Sequence, residues 1–354
     1  MGREVKTGLS ELRGLGMGCH LIGFAKDEKY THMASEKWRR SRLGRLARGF
    51  GSCGREFWAW LRCPSVILPD VERLAESLAV LRLQVSDGVD RDDEGEAPIF
   101  LLSTGWRAGS TLLQRILVTD SRLLLWGEPL GEMTIVSKIT EMISHSISSR
   151  NLQLWQDQPD PSSPSLPTSW VANLYPPSSD FRLALRSLFD QWLREPAHRR
   201  GFARWGFKEV RLGATEASLL HWLYPTAKFV IISRHPYDSY RSLADARWGQ
   251  VYYRYPDVLA ESAAGFARHW NRLAVSWPHL PAGFPCVHIK YEDLIARKVD
   301  FRKLESWLGI EIRENVALSV SVGGTAKSAK LGRCERWIIT REAAPGMQVL
   351  GYSR

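Results

Sequence analysis

The stretch Ser103-Thr104-Gly105-Trp106-Arg107-Ala108-Gly109-Ser110-Thr111 brings glycines, an arginine and a Ser-Thr pair together directly ahead of an apolar helical run. Small residues at such a place leave backbone N–H groups open to face an anion. The start of a helix adds partial positive charge, Arg107 adds a full one, and Ser110 and Thr111 add hydroxyl donors. The chemistry this fits is the holding of a phosphate or sulfate. The nearest rival is the nucleoside-triphosphate loop GxxxxGK[ST]. Here no lysine precedes the Ser-Thr pair and the first glycine stands one residue too close, so the basic residue has moved into the loop.

A second cationic turn lies further on, at Arg234-His235-Pro236-Tyr237-Asp238-Ser239-Tyr240-Arg241-Ser242, directly after the apolar run 229–233. A strand ending there carries Arg234 toward a crevice, and Ser242 in the following helix supplies a second donor. A nucleotide kinase more often places a magnesium-binding aspartate at a strand end, so an arginine there favours an anionic ligand held without a metal. The plainer use of Arg234 is to hold the helix start through Asp238.

Elements of alternating type must position these turns. Ile99 to Leu102 reads as a buried strand and Thr111 to Val118 as a helix with Leu112, Leu113, Ile116 and Leu117 on one face. Runs at 228–233 and 286–290 suit further parallel strands, separated by helical stretches such as 217–223 and 266–276. The expected fold is α/β, a three-layer P-loop-like arrangement around a central, mostly parallel sheet, filling residues 98–354. Residues 156–180, rich in proline and serine, read as a long loop of the kind that is usually functional, and its Trp170, Asn173 and Tyr175 offer stacking faces and a polar group to a bound molecule.

Residues 1–97 have a different character and are expected to form a basic, helical extension that ends in an acidic linker at 87–96. Within it, residues 37–62 set Trp38, Leu43, Leu46, Phe50, Phe57, Trp58 and Leu61 among arginines at roughly helical spacing. Such a face either makes peripheral contact with an anionic membrane or packs on protein.

The chain of 354 residues has a net charge of +10, which favours anionic partners without choosing among them. Five scattered cysteines without a CxxC pair argue against a disulfide framework and a zinc site, and point to a reducing, cytoplasmic location. No apolar run approaches the roughly 18 to 20 residues needed to cross a bilayer. Leu15 to Ala25 lacks a clear cleavage site and a run of arginines follows it, so no signal peptide is expected.

The two turns, in this order, resemble the PAPS-dependent sulfotransferase family (PAPS is 3′-phosphoadenosine 5′-phosphosulfate), in particular its tyrosylprotein-like and bacterial branch. Its 5′-phosphosulfate loop reads approximately [KR]-x-G-[ST]-T, positions filled by Arg107, Gly109, Ser110 and Thr111. Its R-x-P-x-D-x-x-x-S segment is filled by Arg234 and Ser242, which the resemblance assigns to the 3′-phosphate. Supporting stretches are Trp205 to Arg211, Tyr291-Glu292-Asp293-Leu294 and Leu304 to Gly309, so the likeness spans 98 to about 310. The segment 327–337 is similar to the family's nucleotide-closing segment only loosely, through Lys327, Lys330 and Arg333.

What the resemblance implies is sulfuryl transfer from PAPS to a hydroxyl or amine of a carbohydrate or natural-product acceptor, with PAP (adenosine 3′,5′-bisphosphate) as product and no metal required. Nucleic acid is not the expected partner. Arg107 would stabilise the leaving phosphate, and Lys208 would touch phosphate or sulfuryl oxygens or else pair with a nearby acid. An acceptor hydroxyl must lose a proton, and the Gly127-Glu128 pair makes Glu128 the candidate base. Glu132, His145 and His221 are the competitors. The alternatives are a P-loop small-molecule kinase and a catalytically silent anion- or membrane-binding protein.

Overall fold

The computed structural model describes residues 97–128, 135–146, 159–174, 176, 178–244, 254–255, 258–259, 262–313 and 330–353, together with Trp60, Leu74, Ser77 and Leu78. The chain divides into two compact units, Met1–Trp58 and Ala59–Arg354, and every described residue belongs to the second. The basic pattern at 37–62, Trp60 apart, and the acidic stretch 87–96 lie outside the described residues.

The apolar run at Ile99 forms β1 (Ile99–Ser103), and the loop after it delivers α1 (Ser110–Leu117). Next come β2 (Leu123–Trp126), α2 (Ile135–Ser146) and α3 (Ser178–Phe189), which a π-helical turn at Asp190–Arg194 joins to α4 (Glu195–His198). The alternation continues with β3 (Arg204–Glu209), α5 (Ala214–Leu223), β4 (Lys228–Ser233) and α6 (Pro236–Ala244). A short antiparallel ribbon, β5 (Arg254–Tyr255) and β6 (Val258–Leu259), precedes α7 (Ala263–Ser276) and β7 (Cys286–Lys290). The last helices are α8 (Tyr291–Ile295), α9 (Phe301–Leu308) and α10 (Arg333–Val349).

Five of these strands form one parallel sheet in the order β2-β3-β1-β4-β7, so the expected α/β architecture is present and the central sheet is wholly parallel. Side-chain alternation along β1 splits the core between two layers. Ile99 and Leu101 pack with Leu113, Ile116 and Leu304 on one face, and Phe100 and Leu102 pack with Trp205, Phe229 and Phe266 on the other. Each fully buried leucine or phenylalanine stabilises the layers by roughly 1.5–3 kcal/mol. Leu74 and Leu78, inside the span expected to be an extension, pack in the second of these layers.

One close approach holds β3 to β1: a Cβ on Gly206 would lie 1.8 Å from the carbonyl oxygen of Ile99. At the base of β3, buried Arg204 donates to the carbonyls of Ala97 (3.2 and 2.8 Å) and Leu308 (2.5 Å), which satisfies a charged side chain inside the sheet.

The proline- and serine-rich segment is a loop with 3-10 turns at Leu166–Thr168 and Val171–Asn173, and it ends earlier than expected because α3 already begins at Ser178. Trp170 is 73% exposed within it. Cys286 is a free thiol, whereas Cys334 is disulfide-bonded, so a bridge forms in a chain whose scattered cysteines argued against a disulfide framework. Among the described residues no helix is long and apolar enough to cross a membrane.

Candidate active site

The sheet order fixes where a site can form. β1 sits between β3 and β4, so the chain turns to opposite sides after it, and the loops leaving the carboxyl ends of β1 and β4 open a crevice between them. Both cationic turns leave from those ends.

After β1, Ser103 Oγ donates to the carbonyl of Gly105 at 2.7 Å and Thr104 N donates to Ile232 O at 2.9 Å, which ties the loop to β4. Arg107 adopts φ 63, a left-handed conformation that costs a non-glycine residue of the order of 1–3 kcal/mol and turns it outward into solvent. Gly109 (φ 92) caps α1, and a Cβ there would lie 2.2 Å from the ring of Tyr291. Ser110 is buried at the first turn of α1 and Thr111 is exposed beside it. Trp106 stays inside, its ring 4.3 Å from that of His269, and anchors the loop on α7.

The second turn meets the first. Arg107 Nε donates to Ser242 Oγ at 3.1 Å, and Arg234 Nη1 donates to the carbonyl of Arg107 at 3.2 Å. The Arg234 guanidinium lies 4.3 Å from the ring centre of Tyr291, and Trp270 Nε1 donates to the carbonyl of Arg234 at 3.1 Å. Asp238, offered by sequence as a plainer partner for Arg234, is engaged by Arg241 at 2.5 Å instead. Among the described residues neither Arg107 nor Arg234 is paired with a carboxylate. Two uncompensated guanidiniums on one crevice suit a ligand with more than one anionic group.

Glu128 follows β2 and Lys208 lies on β3. Lys208 Nζ donates to Glu128 Oε1, and Arg211 Nη1 donates to Glu128 Oε2 at 2.9 Å and to Glu209 Oε1 at 2.8 Å. Glu128 is thus not a solvated turn residue. Burial pushes its carboxyl up, but Lys208 and Arg211 together hold it below the ordinary glutamate value. Glu209 shows the opposite balance: deeper burial raises its carboxyl above the ordinary value although Arg211 pulls it down. Gln114 of α1 donates to the carbonyls of Leu125 (2.9 Å) and Trp126 (3.2 Å), so the helix that starts at the anion loop also fixes the strand end that presents Glu128. Arg211 also lies 5.8 Å from the Trp106 ring centre, joining this cluster to the loop.

The competing bases separate by position. His221 packs its ring against Phe284 (5.0 Å) and Phe229 (6.3 Å) in the core, which removes it from the crevice. Glu132 and the side chain of His145 lie outside the described residues, as does Lys327. Lys330 and Arg333 are exposed at the entry to α10. Sequence reasoning missed Tyr291, which supports both Gly109 and Arg234, and Arg211, which shares Glu128 with Lys208. The signal for Tyr291 was the Tyr-Glu-Asp run after β7, noted for likeness and not for position. Among the described residues no group of three or more His, Cys, Asp or Glu side chains is placed to hold a metal ion.

A doubly wound parallel sheet with two arginine-bearing turns at its switch point defines the class: an α/β protein with positive charge gathered at the strand ends. The family model of the sulfotransferase family matches residues 98–314, and the chain belongs to that family. Solved structures similar to it include a sulfotransferase from Alicyclobacillus acidocaldarius, at 17% identity over 72% of this chain and 94% of that one, with a TM-score of 0.38. The sulfotransferase domain from the curacin biosynthetic pathway aligns at 16% identity over 73% and 98%, with a TM-score of 0.37. A sulfotransferase from Mycobacterium tuberculosis aligns at 14% over 78% and 93%, with a TM-score of 0.34. No curated protein matches the chain.

Proposed function

We propose that this sulfotransferase moves the sulfuryl group of PAPS to a hydroxyl or amine of a carbohydrate or natural-product acceptor. The observation that supports it most is the junction of the two turns, Arg107 on Ser242 at 3.1 Å and Arg234 on the Arg107 carbonyl at 3.2 Å, with neither guanidinium given to a carboxylate among the described residues. A donor with phosphate on both the 3′ and 5′ sides answers that pattern of charge.

In this reading Gly109, Ser110, Thr111 and Arg107 hold the 5′-phosphosulfate at the start of α1, and Arg234 and Ser242 hold the 3′-phosphate. When bound, PAPS supplies a sulfuryl group on a phosphate leaving group. Arg107 and the loop amides face the charge that grows on that phosphate, and Lys208 reaches the sulfuryl oxygens. Glu128 takes the proton of the acceptor hydroxyl. No magnesium is needed, since the arginines and the helix start carry the neutralising charge. Trp170 offers an exposed ring to a sugar or another acceptor. The disulfide at Cys334 speaks against the reducing setting expected from the scattered cysteines.

The test is incubation of the purified chain with sulfur-labelled PAPS and pooled carbohydrate and natural-product acceptors, with and without magnesium. Label transfer that is indifferent to magnesium is the expected result. Magnesium-dependent transfer of the γ-phosphate of ATP, or binding to anionic vesicles without any PAP binding, would overturn the reading.

A further inference from the structure

We propose that Tyr352, in the segment that follows α10, is a positioning residue for the donor site, holding the Arg234 turn in the conformation that receives the 3′-phosphate. This rests on the assignment of Arg234 to that phosphate, and goes beyond it by giving the turn a support that neither signature motif contains.

Both residues beside Arg234 are held from the same direction. On one side, buried Ser233 Oγ lies 3.0 Å from Tyr352 Oη and 2.9 Å from His288 Nε2. On the other side, His235 N donates to Glu292 Oε1 at 2.9 Å, and His235 Nε2 lies 3.0 Å from the carbonyl of Ser353. Tyr352 closes the loop by donating to Glu292 Oε2 at 3.1 Å. Lys290 holds the same segment through the Gly351 carbonyl (3.2 Å), with its ammonium 4.8 Å from the Tyr352 ring centre.

Proton counting gives this chain a direction. Tyrosine and serine each have one hydroxyl proton, and Glu292 as a carboxylate only accepts. Tyr352 therefore gives its proton to Glu292, Ser233 gives its own to Tyr352, and His288 supplies the N–H that Ser233 accepts. The run His288 to Ser233 to Tyr352 to Glu292 ends on the carboxylate that fixes the backbone N–H next to Arg234. The Tyr352 hydroxyl touches both Ser233, which precedes Arg234, and Glu292, which holds the N–H that follows it.

Tyr352→Phe removes this hydroxyl and keeps the ring. PAP and adenosine 5′-phosphate, which lacks the 3′-phosphate, are titrated by calorimetry against the whole chain. Loss of the link is expected to weaken PAP by about fivefold to tenfold and leave adenosine 5′-phosphate unchanged. KM for PAPS rises with it and kcat at saturation stays the same. Glu292→Gln is the second variant, useful if the first folds poorly: an amide can run the chain in reverse, so its PAP affinity is expected to lie between those of wild type and Glu292→Ala. A lowered Tm with both nucleotides weakened equally, or with neither weakened, overturns the proposal by showing a general structural role. Arg234→Ala separates the two levels. If it weakens PAP while Tyr352→Phe does not, only the positioning role is lost; if it leaves PAP unaffected, the donor-site assignment falls and the positioning role with it.

Discussion

Lys208 and Glu128 stand 80 positions apart, and the parallel pairing of β2 with β3 brings the ammonium of one onto Oε1 of the other. The second carboxylate oxygen is taken by Arg211 at 2.9 Å. In this arrangement the candidate base is an ionised carboxylate, and the lysine proposed to meet the sulfuryl oxygens is one of the two cations that keep it so, Arg211 being the other. An approaching donor that draws Lys208 away also makes Glu128 more basic, which couples the two roles.

Glu128→Gln is expected to lower turnover by about 10²- to 10⁴-fold and to leave PAP affinity near that of wild type, because the change removes a proton acceptor and not a phosphate contact. Single-turnover assays alongside PAP titration separate these effects. An equal loss in both would remove Glu128 from the role of base.

The pH dependence has a definite sign. Glu128 in the donor-free protein is held below the ordinary glutamate value by Lys208 and Arg211, so it keeps its charge to lower pH than an ordinary glutamate. The acid limb of kcat/KM, which reports the free enzyme, therefore belongs below about pH 4.5. Lys208→Met removes one of the two cations and moves that limb upward, as a pH–rate series on both proteins would show.

Arg107→Ala and Arg234→Ala each remove a charge-assisted donor from the crevice. Each is expected to weaken PAP by roughly 10- to 100-fold, with Arg107→Lys intermediate because charge is kept and the forked donor is lost. Calorimetry at two salt concentrations checks this, and the wild-type affinity is expected to be the more salt-sensitive.

Gly109→Ala meets two penalties: backbone held at φ 92 and a Cβ placed 2.2 Å from the Tyr291 ring. A loss of about 1–3 kcal/mol in unfolding free energy is expected, together with weak PAP binding. Tyr291→Ala in the same background relieves the collision but not the backbone strain, so denaturant unfolding of the double variant is expected to recover part of the loss only.

His269 is fully buried against Trp106, and burial first, then Arg272, holds its imidazole well below the ordinary histidine value. The unfolded chain binds a proton near pH 6.5 that the folded chain does not, so stability falls as pH drops below that point. The slope from this one group approaches about 1.4 kcal/mol per pH unit. Urea unfolding between pH 7 and 5 is expected to show a shallower acid slope in His269→Asn than in wild type.

The sequence displayed the loop, the arginine turn and the strands beneath them because each is written in contiguous residues: a run of apolar side chains, two glycines at a strand end, an arginine one residue past β4. Glu128 was legible as a residue but not its state, since its partners Lys208 and Arg211 are brought to it by strand register and not by spacing along the chain. Arg211 and Tyr291 escaped for the same reason. The stretch Trp205 to Arg211 that carries Lys208 could not say which strand lay beside it, and the Tyr-Glu-Asp run gave no hint that its ring would sit under Arg234. Hydrogen bonds between the segment 350–353 and the end of β4 are likewise a product of tertiary packing that local pattern does not record.

Gly206 gives the last consequence. Bare backbone there lets two neighbouring strands lie close enough to bond, and Lys208 stands only two places further along the same strand. A single extra carbon, well away from any ligand contact, would push the strand aside and drag the lysine out of line with its carboxylate. A library of inactive yet soluble variants is therefore expected to lack substitutions at this glycine, since such chains would leave the soluble pool before their activity could be scored.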